Sequence, residues 1–395
     1  MPDPLQTPLH SWLVALRREL HQWPEPAYQE VRTAAVVSRV LHELGIPHRT
    51  GVGGTGVVAE LKARNKGPTL ALRADMDALP LEERNEVPYR SRNPGIMHAC
   101  GHDGHMTTVL GVARWLLEQE EWVDQGSGKV LLLFQPAEEG GAGALSMIKD
   151  GALEGETVEA IFAAHMHPDL PAGEVGLAMG VSNAASDSFH IRLEGKGGHG
   201  AHPHQCADPI VAGAYLVTQL QSIVSRNIRP TDAAVITIGI FHAGSASNII
   251  PSEAILHGTL RTLDPQVRET VLTRMEEVLE GTRSAHGVSG TLRVTPGYPI
   301  LINDERLTRF TLETARGLLG PDRVHVEPPR MGAEDFAYFL ERIPGVLVRL
   351  GCSVPGATVC HGLHSPLFDM DERALDVGVR LFARLLVDYV RSTSP

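Results

Sequence analysis

Val130-Leu131-Leu132-Leu133-Phe134, followed at once by Gln135-Pro136-Ala137-Glu138-Glu139, is the stretch that decides the fold. Five apolar residues in succession offer no polar side to water, so they read as a strand buried on both faces, the kind found in sheets covered by helices. The acids then fall just beyond the strand's carboxyl end, where open α/β sheets gather their ligands. The pattern recurs on either side: Gly56-Val57-Val58-Ala59, Thr69-Leu70-Ala71-Leu72 and Ala160-Ile161-Phe162-Ala163-Ala164 also read as buried strands. Asp75-Met76-Asp77 follows the second of these and His165 the third, so three apolar runs deliver acids or imidazole to one sheet edge. Cys100-Gly101-His102, opening a helical pattern that runs over residues 106–120, adds a thiol and a second imidazole.

Two helices precede the sheet. Leu9, Trp12, Leu13, Leu16 and Leu20 recur at three- and four-residue steps until Pro24 and Pro26, and Val37, Val40, Leu41 and Leu44 stop at Gly45. From about residue 186 the texture changes. Phe189, Ile191 and Leu193 alternate as in a half-exposed strand, and the patterns that follow spell βαββαβ, the ferredoxin-like order. After Pro299 helices and buried strands return. The expected organisation is therefore an α/β domain over residues 1–184 and 297–395, with a small α+β unit inserted at 185–296.

Composition narrows the function classes. The 395 residues are 43% hydrophobic and 21% charged, an ordinary globular balance. A net charge of −12 and the lack of a long basic run argue against nucleic acid. The opening MPDPLQTPLHSW has no signal-like apolar run, and nowhere do about 18 apolar residues run together, so a cytoplasmic location away from the membrane is expected. Four cysteines without a CxxC pair are too sparse for a disulfide framework.

Taken singly, each candidate ligand has a plain structural reading: a buried small cysteine, a solvated acidic loop, a turn-capping Asp77, a core histidine. Taken together, so many ionisable groups at strand ends are costly to bury unless cations compensate them. A mixture of thiolate, imidazole and carboxylate suits Zn, Mn, Co or Ni rather than Mg or Ca. HExxH, GxSxG and the P-loop pattern are absent. Gly195, Gly197 and Gly200 do spell GxGxxG, which would indicate an NAD-dependent oxidoreductase, but His199, His202, Pro203 and His204 stand where a helix should start.

LRADMDALPLEE (72–83), MHACGHDGHMTTVLG (97–111), QPAEEGGAGA (135–144), GKGGHGAHPH (195–204) and MGAEDFAYF (331–339) together resemble the dinuclear-metal amidohydrolases, in the branch of hippurate hydrolase, N-acyl-amino-acid amidohydrolase and the auxin-conjugate hydrolases. The resemblance spans nearly the whole chain. It implies a zinc-peptidase-like catalytic domain with a mixed sheet covered by helices, an inserted lid that also makes a homodimer, and two divalent metal ions. It further implies that Cys100 bridges the ions, that His102 and His165 complete one site, and that Glu139 and His364 complete the other. Related peptidases place a histidine where Asp75 stands, so Asp75 falls outside this ligand set, and Asp77 is expected to orient a neighbour. Glu138 is expected to take a proton from a metal-bridging water and pass it to the leaving amine. His199 and Asn248 match oxyanion-holding positions, Arg261 the grip on the substrate carboxylate, and Gly332 the border of the same pocket. Glu334 and Asp335 read equally well as first-turn helix residues. The implied activity is hydrolysis of the amide bond of an N-acetyl or N-aroyl amino acid, with carboxypeptidase or dipeptidase action the nearest alternative.

Overall fold

The computed structural model describes residues 8–119, 122, 126–356 and 360–393. In chain order the elements are α1 (Pro8–His21), α2 (Val31–Glu43), β1 (His48–Val52), β2 (Gly56–Lys62), β3 (Asn65–Asp75), α3 (His102–Leu117), β4 (Ser127–Gln135), α4 (Gly143–Lys149), β5 (Val158–Pro171), β6 (Val175–Leu177), β7 (Ala185–Glu194), α5 (Pro209–Asn227), β8 (Ala234–Ala243), β9 (Glu253–Thr262), α6 (Pro265–His286), β10 (Ser289–Pro296), α7 (Glu305–Leu319), β11 (Val324–Val326), α8 (Ala337–Leu340), β12 (Gly345–Ser353) and α9 (Arg373–Thr393), with a few shorter strands between them. Two compact units result: Met1–Ser182 with Ile302–Pro328 and Asp335–Pro395, and Asn183–Leu301 with Pro329–Glu334.

The first unit is built on an eight-stranded mixed sheet in the order β1-β2-β4-β3-β5-β12-β6-β11. β4, β3, β5 and β12 run parallel, and both of their faces are buried: Leu72 and Leu132 on one side, Ala71, Arg73 and Leu131 on the other. That explains the unbroken apolar runs. The α/β class read from the sequence holds. β3 runs on to Asp75, directly opposite Gln135 at the end of β4. His165 lies within β5 rather than after it, because β12 goes on supplying ladder partners, Arg349 opposite His165 and Gly351 opposite His167. Gly101 sets the start of α3: its φ is +85°, and a Cβ there would sit 2.8 Å from the Met166 side chain. The helix ends at Leu117, and Glu120, where the sequence pattern stopped, lies outside the described residues.

α1, α3 and α9 pack together over this sheet. Their junction is partly ionic. Arg17, wholly buried in α1, donates Nε–H to Asp103 in the first turn of α3 (2.8 Å) and Nη2–H to Asp369 (3.0 Å), while His21 Nδ1 lies 2.8 Å from the same Asp103 oxygen. Burial pushes the Asp103 carboxyl up, but Arg17 and His21 outweigh it and hold it far below the usual carboxylate range.

The second unit is a four-stranded antiparallel sheet, β8-β9-β7-β10, with α5 and α6 on one face, and its chain order β7-α5-β8-β9-α6-β10 is the expected βαββαβ. Asp208 and Asp264 cap the two helices by accepting their first free N–H groups. Phe189, Ile191 and Leu193 of β7 are buried with Leu216 and Leu220 of α5 and Met275 and Leu279 of α6. The glycines of the GxGxxG stretch open no helix: Gly198 and His199 pair with Ile250 and Ile249 in a short ladder, and the next α-helix begins at Pro209. Among the described residues no helix is long and apolar enough to cross a membrane.

Arg17→Ala should leave Asp103 buried without its cation. Denaturant unfolding is expected to show a loss of roughly 3–5 kcal/mol, the cost of breaking one side of a buried ion pair.

Candidate metal centre and catalytic site

Four segments of the first unit meet at the carboxyl edge of β3 and β4. Among the described residues five groups of three donor atoms lie within 4.8 Å of one another, and two of them share a thiol: Cys100, His102 and His165, and Cys100, Glu139 and His364. Cys100 is common to both. Its Sγ lies 3.5 Å from His165 Nε2, and Glu139 Oε1 lies 3.1 Å from His364 Nε2 and 4.0 Å from His102 Nε2. Glu138 and Glu139 also group with His102.

Local chemistry holds each donor in place. His102 gives its Nδ1–H to the carbonyl of Asp77 (2.8 Å), and His165 gives its Nδ1–H to the carbonyl of Met166 (2.8 Å). Both rings thus turn Nε2 toward Cys100, the arrangement metal-binding histidines adopt. His102 Nε2 is buried and has no hydrogen-bond partner among the described residues. Asp77 is fully buried, and its two carboxylate oxygens accept the backbone N–H groups of Glu138 and Glu139, both at 2.9 Å. His364 donates its backbone N–H to the carbonyl of Ala99 (2.8 Å), which brings the loop that carries it beside Cys100.

The backbone is strained at the same place. Ala137 and His364 have φ of +52° and +61°, values an L-residue adopts only when its surroundings impose them. Glu30 helps impose the first by accepting the Ala137 N–H (2.9 Å). Gly143 closes the loop after Glu138, since a Cβ there would lie 1.6 Å from the Pro136 carbonyl oxygen.

The electrostatics suit cations. Burial, with Glu139 and Glu138 nearby, pushes the Cys100 thiol well above its ordinary value, so a thiolate forms there only against positive charge. Burial pulls the His165 imidazole down, leaving it neutral. Burial acts the same way on His102, but Asp75 and Asp77 outweigh it and raise that imidazole, so a cation at Nε2 competes with a proton. For Glu139 the upward push of burial is overcome by His364 and His102, which keep the carboxylate ionised. The residues present therefore fit a pair of divalent cations.

Asp75 forms another group of three donor atoms with His102 and His105. It accepts from Arg73 Nη1 (2.8 Å) and from His105 Nδ1 (2.6 Å), with His102 Nε2 at 3.7 Å. Burial takes His105 down to about 4, and its Nε2 accepts the Met166 N–H (2.8 Å). Glu30, Arg73 and His105 were not singled out in the sequence. The one signal for Arg73 is a charge inside an apolar strand. Asp335 begins no helix: α8 starts at Ala337, and the Asp335 side chain is buried against Arg73, which overturns its first-turn reading.

The remaining expected residues belong to the second unit. The short ladder places His199 opposite Ile249, beside Asn248, whose carbonyl accepts the Gly200 N–H (2.8 Å). His199 Nδ1 accepts the N–H of Ala201 (3.0 Å), which puts the ring proton on Nε2, and both side chains are exposed. Arg261 lies on the open face of the sheet in line with Ile255, His257 and Thr259, opposite Ser186 on one side and Val235 on the other. The Gly332 carbonyl accepts from Asn183 Nδ2 (3.2 Å).

Known proteins resemble this chain along its length. Residues 71–388 match the model of peptidase family M20/M25/M40. An N-acetyl-L-cysteine deacetylase of Bacillus subtilis is 42% identical over 93% of this chain and 85% of its own. An IAA-amino acid hydrolase of Arabidopsis thaliana is 37% identical over 96% of this chain and 86% of its own. A Bacillus subtilis protein whose crystal structure is described as a dinuclear metal binding peptidase of the M20 family superimposes with a TM-score of 0.83 at 36% identity, covering 97% of this chain and 99% of that one.

Asp77→Ala should leave two buried N–H groups unpaired at the Glu138-Glu139 turn. A stability loss of about 1–3 kcal/mol for each is expected in denaturant unfolding.

Proposed function

Because the chain belongs to peptidase family M20/M25/M40, we propose that it is a metal-dependent amidohydrolase that cleaves N-acetyl or N-aroyl amino acids to a carboxylic acid and a free amino acid. One observation carries this reading: two three-residue donor groups share Cys100, with Glu138 next in the chain to the donor Glu139. In this reading Cys100, His102, His165, Glu139 and His364 would hold two divalent ions (Zn, Mn, Co or Ni). Bound there, the ions supply polarisation of the scissile carbonyl and a more acidic attacking water.

The chain's own residues do the rest. Glu138, buried at the edge of the site, accepts the proton that water loses as its oxygen bonds to the carbonyl carbon. The same carboxyl then gives that proton to the amide nitrogen as the C–N bond breaks, releasing the amine and restoring the carboxylate. Asp77 positions the base by holding both N–H groups of the turn. His199, with its proton on Nε2, and Asn248 are donors of the type an oxyanion needs. Arg261 offers a planar fork for the substrate's α-carboxylate, with Gly332 at the border of that subsite.

The domain expected over residues 1–184 and 297–395, which holds the mixed sheet, is assigned the chemistry, and the insert expected over residues 185–296 is assigned substrate cover and dimerisation. Edge strand β8 exposes Val235, Ile240 and Phe241, and neighbouring α5 exposes Tyr215, a surface suited to a second copy of the chain. Four free cysteines suit the reducing cytoplasm.

Dialysis against a chelator should abolish hydrolysis, and Zn, Mn, Co or Ni should restore it. Glu138→Ala should keep the metal content while kcat falls about 10²–10⁴-fold. Turnover of hippurate and N-acetyl amino acids over dipeptides supports the assignment, and turnover of dipeptides alone would replace it with peptidase action.

A further inference from the structure

Asp335 lies outside the two donor groups that share Cys100, grouping instead with Glu138 and Glu334, and it is wholly buried and heavily bonded. Its carboxylate accepts Arg73 Nη2–H (2.9 Å), the Gln135 amide on both oxygens (2.8 and 2.9 Å) and the Ala144 N–H (3.0 Å). Arg73 spreads its fork further, with Nε–H to Gln135 Oε1 (2.7 Å) and Nη1–H to Asp75 (2.8 Å). Asp75 in turn accepts a hydrogen bond from His105 Nδ1–H. A single guanidinium thus ties the ends of β3 and β4 to residue 335. So many charge-assisted bonds at a buried position leave Asp335 little freedom.

The backbone of the same residue faces the chemistry. The Asp335 N–H points to Glu138 Oε1 at 3.4 Å. Its carboxylate, through Ala144, also grips the far end of the loop that carries Glu138. Side chain and peptide of one residue therefore reach both the loop and the carboxylate.

We propose that Asp335 is a positioning residue for proton transfer: anchored by Arg73 and Gln135, it holds Glu138 through its peptide N–H in the orientation that accepts the proton from water and returns it to the amine. This rests on the amidohydrolase reading and on Glu138 as its base. The geometry explains why a fully buried carboxylate with no place among the assigned metal donors stands beside the site. A displacement of about 1 Å of a reacting group costs on the order of 10²-fold in rate.

A double-mutant cycle on the metal-loaded, full-length enzyme tests it, with kcat, KM, bound metal and thermal unfolding read for each protein. Asp335→Asn keeps the size and removes the charge that anchors the residue. The expected result is a loss of about 10²-fold in kcat with KM within about twofold of wild type and both metals retained, and less than about twofold further loss when added to Glu138→Ala. Gln135→Met, which removes two bonds to the same carboxylate without changing charge, should lower kcat about tenfold and likewise cost nothing once Glu138 is gone; it takes the place of Asp335→Asn in the cycle if that protein does not fold. An equal loss with and without Glu138, a loss that tracks the release of metal, or unchanged kcat in the folded variants would each overturn the positioning role while leaving the proposed activity standing. If Glu138→Ala itself left turnover intact, the base assignment and this inference would fall together.

Discussion

Asp77 is the constraint on which the site depends. Its carboxylate closes on the N–H groups of Glu138 and Glu139, and its carbonyl accepts the Nδ1 proton of His102. One residue just past the end of β3 therefore sets the turn after β4 and the ring at the start of α3. A buried carboxylate without donors would be costly; two backbone N–H groups without an acceptor would be costly as well. Each satisfies the other, and the turn is left with little freedom to move.

Around that joint the chain accepts strain for the sake of placement. Ala137 and His364 sit at positive φ without being glycine, and Gly101 and Gly143 stand where no side chain would fit. Such conformations persist only where packing and hydrogen bonds over-determine them. Glu30 at the Ala137 N–H and the Ala99 carbonyl at the His364 N–H supply part of that determination. The Arg17-Asp103-His21 network anchors the first turn of α3, which carries His102, to α1. The stability of the domain and the placement of the site thus share residues that are adjacent in sequence.

Much of this was legible beforehand, and for identifiable reasons. Cys100, His102, Glu139, His165 and His364 are expected as one set, and their donor atoms fall in two groups of three that share Cys100. Apolar runs mark the strand ends that carry them, and the motif resemblance covers nearly the whole chain. The family match and the α/β fold with its ferredoxin-like insert agree with that reading. What escaped were residues whose partners are distant in sequence. Asp335 read as a helix-start acid since nothing nearby announces Arg73, which lies 262 positions earlier. Local pattern ends the strand of His165 at Ala164 because it cannot tell that β12 prolongs the ladder.

The sequence by itself determined which segments are strands and helices, which residue types gather at strand ends, and that a second unit interrupts the first. These follow from side-chain period and local backbone preference, which need no knowledge of the rest of the molecule. Only the tertiary structure decided which nitrogen of each histidine is free, which oxygen takes which N–H, and that Asp75 and Asp335 both answer to Arg73. Those outcomes depend on hydrogen bonds whose range is about 3 Å and whose partners the chain brings close only by folding.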